Sequence, residues 1–280
     1  MMRNFVDLHA HTTASDGDCP PAELVSLAER KHLAVLAVTD HDNTDGVAEA
    51  AEVAAALPLR FVAGVEISAE FPAGTMHILG LGIDPASGDL QETLSALMEA
   101  RNRRNPKMVA KLAAMGVDIS MNELRALAGG QLVSRLHMAT LLHKKGHAAN
   151  VSDAFSRYIG AGAPAYVDKE RLTPAVAIER IHAAGGVAIL AHPTQLKYNN
   201  NAHLETIVRS LVARGLDGIE VYHPDHTLDQ TRHYLDLARM LSLLVAGGSD
   251  FHGAAKPHVR LGRPPVPLAA VEQLLARIGA

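Results

Sequence analysis

Residues 33–42 read Leu-Ala-Val-Leu-Ala-Val-Thr-Asp-His-Asp: six apolar residues without a polar break, then four polar ones. The apolar run predicts a strand buried on both faces, as strands of a parallel sheet covered by helices are. The same pattern recurs along the chain. Asn4–Asp7 leads into His9-Ala10-His11, with Asp16 beyond, and Arg60–Val65 leads into Glu66. Val187–Ala191 leads into His192-Pro193, and Gly218–Tyr222 into His223, with His226 nearby. Leu243–Ala246 leads into Gly247-Gly248-Ser249-Asp250-Phe251-His252.

Helical patterns separate these strands. Pro20-Pro21 opens a helix through about Lys31, and Asp45–Leu57, Thr173–Ala184, Ala202–Arg214, Leu228–Met240 and Leu268–Ile278 follow. Ile67–Phe71 and Thr75–Ile83, joined by Pro72-Ala73-Gly74, read as a hairpin extension carrying His77. Asp89–Met115 reads as one long helix that Pro106 is expected to kink or split. From Gly116 to Pro164 the periodicity is helical only, over Asn122–Ala128, Ser134–Lys145 and Ser152–Tyr158. This alternation predicts a parallel α/β sheet of six or seven core strands with right-handed crossovers. Residues 1–100 and 165–280 would form the main domain, and 101–164 an all-helical insertion. Polar residues follow the first, middle and last strands alike. That favours a closed barrel, whose active groups come from many strand ends, over an open sheet with one crevice.

Composition narrows the chemistry. The chain has 280 residues and a formal charge of −4, so it carries no overall basic field for non-specific nucleic-acid binding. Its lone cysteine, Cys19, excludes an intramolecular disulfide framework or a Cys-rich zinc site. No apolar run approaches the ~18 residues of a membrane span, and a reduced cytoplasmic setting with no obligate protein partner is the expectation. Sixteen histidines stand against five tyrosines, five phenylalanines and no tryptophan.

A single histidine at a strand end is ordinarily a hydrogen-bonded structural residue. Gathering His9, His11, Asp16, His41, Glu66, His77, His192, Asp250 and His252 is another matter. Without a cation, several kcal/mol would be lost at each unpaired buried group. Nine mixed imidazole and carboxylate ligands exceed the needs of one ion. They suit two or three divalent ions of manganese, iron or zinc, an arrangement adapted to phosphoryl transfer.

The ordered motifs His9-x-His11 with Ser15-Asp16-Gly17, Thr39-Asp40-His41-Asp42, Gly64-Val65-Glu66, His77-Ile78-Leu79-Gly80, Ala191-His192-Pro193 and Gly248-Ser249-Asp250-Phe251-His252 resemble the PHP (polymerase and histidinol phosphatase) superfamily. Within it, the chain is similar to the nucleoside 3',5'-bisphosphate phosphatases and 5'-3' exoribonucleases. The resemblance implies a distorted (β/α)7 barrel with a trinuclear site and a helical substrate-binding cap. It assigns His9, His11, Glu66 and Asp250 to one ion. Glu66, His77 and His192 go to a second, and Asp16, His41 and His252 to a third. It implies that a metal-activated hydroxide removes a terminal phosphate from a nucleotide or the 5' end of a short RNA, with Glu66, Asp250 and His226 in catalytic roles. Ser134-Arg135-Leu136-His137 matches a motif used on substrate phosphate, and arginine offers a rigid donor fork for it. Arg101, Arg103 and Arg104 add a weaker basic face. His223 and His226 resemble residues lining the same pocket, orienting phosphate or protonating the leaving oxygen. After His192-Pro193 the chain has Thr194-Gln195, where relatives often carry Gly and a basic residue. Histidinol-phosphate hydrolysis and a non-catalytic metal-binding barrel are the alternatives.

Overall fold

Each apolar run becomes a strand of one sheet. In the computed structural model, which describes residues 3–129 and 132–280, the chain opens with β1 (Phe5–Asp7), α1 (Pro21–Arg30), β2 (Val35–Val38), α2 (Val47–Ala54), β3 (Arg60–Ala69) and β4 (Met76–Leu81). The helices α3 (Gly88–Ala114), α4 (Met121–Ala128), α5 (Arg135–Lys144) and α6 (Val151–Ala154) come next, the last continuing into a π-helical turn at Phe155–Ile159. Then follow α7 (Pro174–Ala183), β5 (Val187–Leu190), α8 (Asn201–Val212), β6 (Gly218–Tyr222), α9 (Leu228–Leu241), β7 (Leu244–Gly247), β8 (Val266–Pro267) and α10 (Glu272–Arg277). Among the described residues, no helix is long and apolar enough to cross a membrane.

The strand order is β7-β6-β5-β4-β3-β2-β1-β8. Burial on both faces explains the unbroken apolar runs. Val35 and Ala37 point into the barrel interior with Val187, Ile189 and Ala191, whereas Leu36 and Val38 pack outward on α1 and α2. Ala188 and Leu190 likewise face outward into the layer formed with α3, α7, α8 and α9. The ring closes above β1. Leu8 N–H donates to Gly247 O at 3.1 Å, Asp250 N–H to His9 O at 2.8 Å and His11 N–H to Phe251 O at 2.9 Å. A Cβ at Gly248 would lie 2.4 Å from His9 N, so only glycine lets the two segments approach this closely. At the opposite end β8 pairs antiparallel with β1, and Leu274 and Leu275 of α10 close the apolar interior.

The barrel expectation holds, with two corrections. β4 is an integral wall strand, antiparallel to both β3 and β5, and not an extension. The link Glu70–Thr75 is too short for the crossover of ~10–12 residues that a parallel neighbour requires, so β4 must run back. Pro106 leaves α3 in one piece. Both Pro106 and Asn102, whose carbonyl loses its helical partner to the proline, lie on the exposed face where water can satisfy the oxygen.

The residues between the two parts of the barrel have their own apolar core, built from Met108, Leu112, Leu124, Met138, Leu142, Ile159 and neighbours up to Val167. One buried carboxylate ties both crossings to the barrel. Asp42, after β2, accepts from Arg101 on α3 and from Lys169 Nζ at 2.9 Å on the returning chain, and its Oδ1 accepts Ser68 N–H at 2.8 Å. Burial alone would raise the Asp42 pKa, yet Lys169 and Arg101 hold it far below the usual carboxylate range. Burial pushes the Lys169 ammonium down to about 8 despite the pull of Asp42. Replacing Asp42 by alanine leaves two buried cations facing one another. Urea denaturation of Asp42→Ala should show a stability loss of about 3–5 kcal/mol, the cost typical of stranding a buried charge.

Candidate active site

The strand ends bring the nine proposed ligands to one mouth of the barrel. Glu66, near the C-terminal end of β3, is the hub. Its Oε1 lies 2.7 Å from His77 Nδ1 and 2.8 Å from His192 Nε2. Its Oε2 lies 2.9 Å from His41 Nδ1, 3.3 Å from His11 Nε2 and 3.4 Å from His9 Nε2. Asp250 Oδ1 is 3.2 Å from His11 Nε2 and 3.6 Å from His9 Nε2. Asp16 Oδ1 is 3.2 Å from His252 Nε2 and 3.9 Å from His41 Nε2. Four overlapping sets result: His11/Asp16/His41/His252, His9/Glu66/His192, His9/His11/Asp250 and His41/Glu66/His77, with ligand atoms in each set no more than 4.8 Å apart.

The donor atoms fit a divalent cation. His9 Nε2, His11 Nε2, His41 Nδ1, Asp16 Oδ1 and Glu66 Oε2 are buried with no hydrogen-bond partner, short separations notwithstanding. Buried polar atoms left without partners are costly, and a cation held among these donors would offset that cost. All are nitrogen or oxygen donors, and Cys19 packs elsewhere under α1. Burial pushes the His77 and His252 imidazoles down to about 4, keeping them in the neutral form that binds metal. Burial would raise Glu66, but His41, His77 and His9 hold it well below the ordinary carboxylate range. Two ligand positions are strained: His192 has φ 26° and Asp250 φ 52°, conformations that cost a non-glycine residue about 1–3 kcal/mol and cluster at functional sites.

Above this floor opens a cavity of about 1020 Å³, bounded by the barrel mouth and the helical segment. Its upper wall is cationic, with Arg101, Arg104, Arg135, Lys169 and Arg171. Arg135 has no carboxylate partner among the described residues. Its guanidinium sits 5.8 Å from the Phe155 ring centre and 5.6 Å from that of Tyr166. Arg104 bonds only the side-chain oxygen of Asn105, and burial together with Arg101, Arg135 and Arg171 depresses its pKa to about 8. Arg101 and Lys169 share Asp42 and Arg171 pairs with Asp168, which leaves Arg104 and Arg135 as cavity-lining cations without an acid partner among the described residues, a setting suited to an anion. Arg103 points away, pairing with Glu99 and Glu170 on the surface.

The other proposed substrate residues divide. Ser134 lines the cavity while capping α5, its Oγ accepting Leu136 N–H and His137 N–H. His137 is buried and returns the cap, its Nδ1 accepting Ser134 N–H at 3.1 Å. It is not among the cavity-lining residues. His223 lines the cavity, its Nε2 3.5 Å from Asp250 Oδ2. His226 lies behind it, donating from Nδ1 to Val221 O and packing on Tyr234, outside the cavity. Gln195 lines the cavity, whereas Thr194 is held by Gln230 and Lys197 is exposed.

Several supporting residues are not singled out from the linear sequence. Glu220, fully buried on β6, accepts from His9 Nδ1 at 3.0 Å and from His192 N–H at 2.7 Å. Its polar character inside an apolar strand run was the one available hint. Asp7 accepts His9 N–H and Ser249 N–H, and Asp40 accepts Thr12 N–H and Ser15 Oγ–H. Lys256 Nζ reaches Asp250 Oδ2 at 2.7 Å.

A sequence profile of the PHP domain matches residues 7–236. The 3',5'-nucleoside bisphosphate phosphatase of Chromobacterium violaceum is 34% identical over 278 residues, covering 98% of this chain and 97% of that protein. The 5'-3' exoribonuclease of Haemophilus influenzae is 37% identical over 252 residues, covering 90% and 91%. A solved structure of an amidohydrolase from Chromobacterium violaceum, with bound sulfate and no metal, superposes with a TM-score of 0.87 at 34% identity, covering 97% of this chain and 96% of that one.

Glu220 fixes the tautomer and orientation of His9. Chelator-stripped Glu220→Ala protein should rebind manganese or zinc about 10–100-fold more weakly than wild type in a competition titration, the usual effect of losing a carboxylate behind a ligating histidine. Wild-type protein should also melt at a higher temperature with the ion restored than without it.

Proposed function

The chain belongs to the PHP domain family, and on that premise we propose that it removes a terminal phosphate from nucleotides, including nucleoside 3',5'-bisphosphates and 5'-phosphorylated short RNA. One observation carries the reading: a cluster of nine imidazole and carboxylate residues lies across one cavity from a cationic wall in which Arg104 and Arg135 have no acid partner among the described residues. The sulfate held by the Chromobacterium structure supports an anion site in this fold. Two or three divalent ions of manganese, iron or zinc are the proposed cofactors, held by His9, His11, Asp16, His41, Glu66, His77, His192, Asp250 and His252. Bound there, such ions supply Lewis acidity and a nucleophile at neutral pH.

The chain's own groups do the rest. Arg135, steadied between Phe155 and Tyr166, offers its donor fork to a phosphate, and Arg104 adds charge behind it. Tyr166 and Phe155 also line the cavity, and aromatic side chains there are suited to a nucleobase. His223 is better placed than His226 to protonate the leaving oxygen. It lines the cavity, which His226 does not, and its Nδ1 accepts Asp225 N–H at 3.1 Å, so the neutral ring carries its proton on Nε2, 3.5 Å from Asp250 Oδ2. In the neutral His226 ring the proton is on Nδ1, engaged by Val221 O. His137 supports the site indirectly, by capping the helix that starts at Arg135.

Phosphate release should be followed on adenosine 3',5'-bisphosphate, AMP, 5'-phosphorylated RNA and histidinol phosphate with metal-replete protein. The expected result is turnover of the nucleotide substrates. Release from histidinol phosphate alone overturns the reading. Arg135→Ala should lower kcat/KM on the preferred nucleotide by about 1.5–3 kcal/mol of transition-state binding, the scale of a charge-assisted hydrogen bond.

A further inference from the structure

A second recess of about 300 Å³ adjoins the main cavity. His223, Pro224, His258 and Val259 line both, so the two are continuous over a short saddle. The remaining wall of the recess is His226, Arg260, Arg263 and Pro264, with no carboxylate among the lining residues. Arg260 and Arg263 are exposed and pair with no acid among the described residues. They stand at the two ends of one turn, closed by Arg263 N–H donating to Arg260 O at 3.0 Å. The turn is fixed and not free: Gly262 N–H donates to Asp7 Oδ2 at 2.8 Å, and Asp7 Oδ1 receives Ser249 N–H and His9 N–H. One buried carboxylate thus sets the position of the two arginines and of the strand ends that carry His9 and Asp250.

We infer that this recess holds the phosphodiester backbone of an RNA strand downstream of the nucleotide whose terminal phosphate lies in the main cavity. The inference rests on the phosphatase reading above. A mononucleotide is accommodated by the main cavity. A longer chain must leave it, and the saddle at His223 and Pro224 leads to a recess carrying two cations on a fixed backbone turn, neither with an acid partner among the described residues. Guanidinium forks without acid partners are suited to backbone phosphates, and such contacts are independent of base identity. The recess therefore makes the enzyme favour an oligonucleotide over a mononucleotide through binding, with the reacting phosphate handled identically in both.

The test compares wild type with the double variant Arg260→Ala/Arg263→Ala and with Arg260→Lys/Arg263→Lys. The substrates are adenosine 3',5'-bisphosphate and a 5'-phosphorylated RNA oligonucleotide. The alanine variant should raise KM for the RNA by about tenfold or more, as expected from losing charge-assisted contacts, while kcat on RNA and both parameters on the bisphosphate stay at wild-type values. The lysine variant should recover part of the RNA affinity. The salt dependence of RNA binding, read by fluorescence anisotropy on chelator-treated protein, should flatten by about 0.7 in log–log slope per lost contact. An equal loss on both substrates, or RNA affinity unchanged by the substitutions, overturns the inference. Wild-type turnover of the bisphosphate with neither binding nor cleavage of RNA overturns it and leaves the phosphatase reading standing. Inactivity on both substrates overturns the reading itself.

Discussion

Three backbone hydrogen bonds between residues 8–11 and 247–251 hold the site together. Through Leu8 N–H to Gly247 O, Asp250 N–H to His9 O and His11 N–H to Phe251 O, the first strand end is laid against the last. His9 and His11 are thereby set beside Asp250 and His252, although about 240 residues separate them in the chain. The contact tolerates no side chain at Gly248 and holds Asp250 in a left-handed conformation. Closure of the barrel and assembly of the ligand set are consequently one event.

The mouth is also stabilised from below by buried acids that are not themselves proposed ligands but hold the residues that are. Glu220 turns His9 and secures the backbone of His192, Asp7 receives the amides of His9 and Ser249, and Asp40 receives Thr12 and Ser15. Each such acid is compensated by several donors, the condition under which a buried charge is tolerable. Asp42 extends the scheme outward, joining the barrel to the helical segment through Arg101 and Lys169. Two cations of the cavity wall are thereby tied to the strand end that also carries His41.

Much of the fold and most of the metal-binding mouth were legible. Runs such as 33–38 and 187–190 had to be strands covered on both faces, and the polar residues after them had to share one end of the barrel. β4 was harder to place because a short apolar segment beside Pro-Ala-Gly has the same pattern as a hairpin arm and as a barrel wall. Only its pairing with both β3 and β5 separates the two. Pro106 misled for a similar reason: its cost depends on whether the orphaned carbonyl meets water, which the local sequence does not say.

Local sequence alone determined most of the strand and helix order and the nitrogen and oxygen donor chemistry of the strand ends, because these follow from side-chain type and short-range periodicity. Tertiary structure alone decided that Glu220 backs His9, that Asp42 is clamped by Arg101 and Lys169, and that His223 lines the cavity while His226 lies outside it. It likewise decided that Arg260 and Arg263 flank a recess that shares lining residues with the main cavity. Hydrogen-bond partners and tautomers depend on which groups approach through space, and residues 28 to 255 positions apart carry no local trace of that approach.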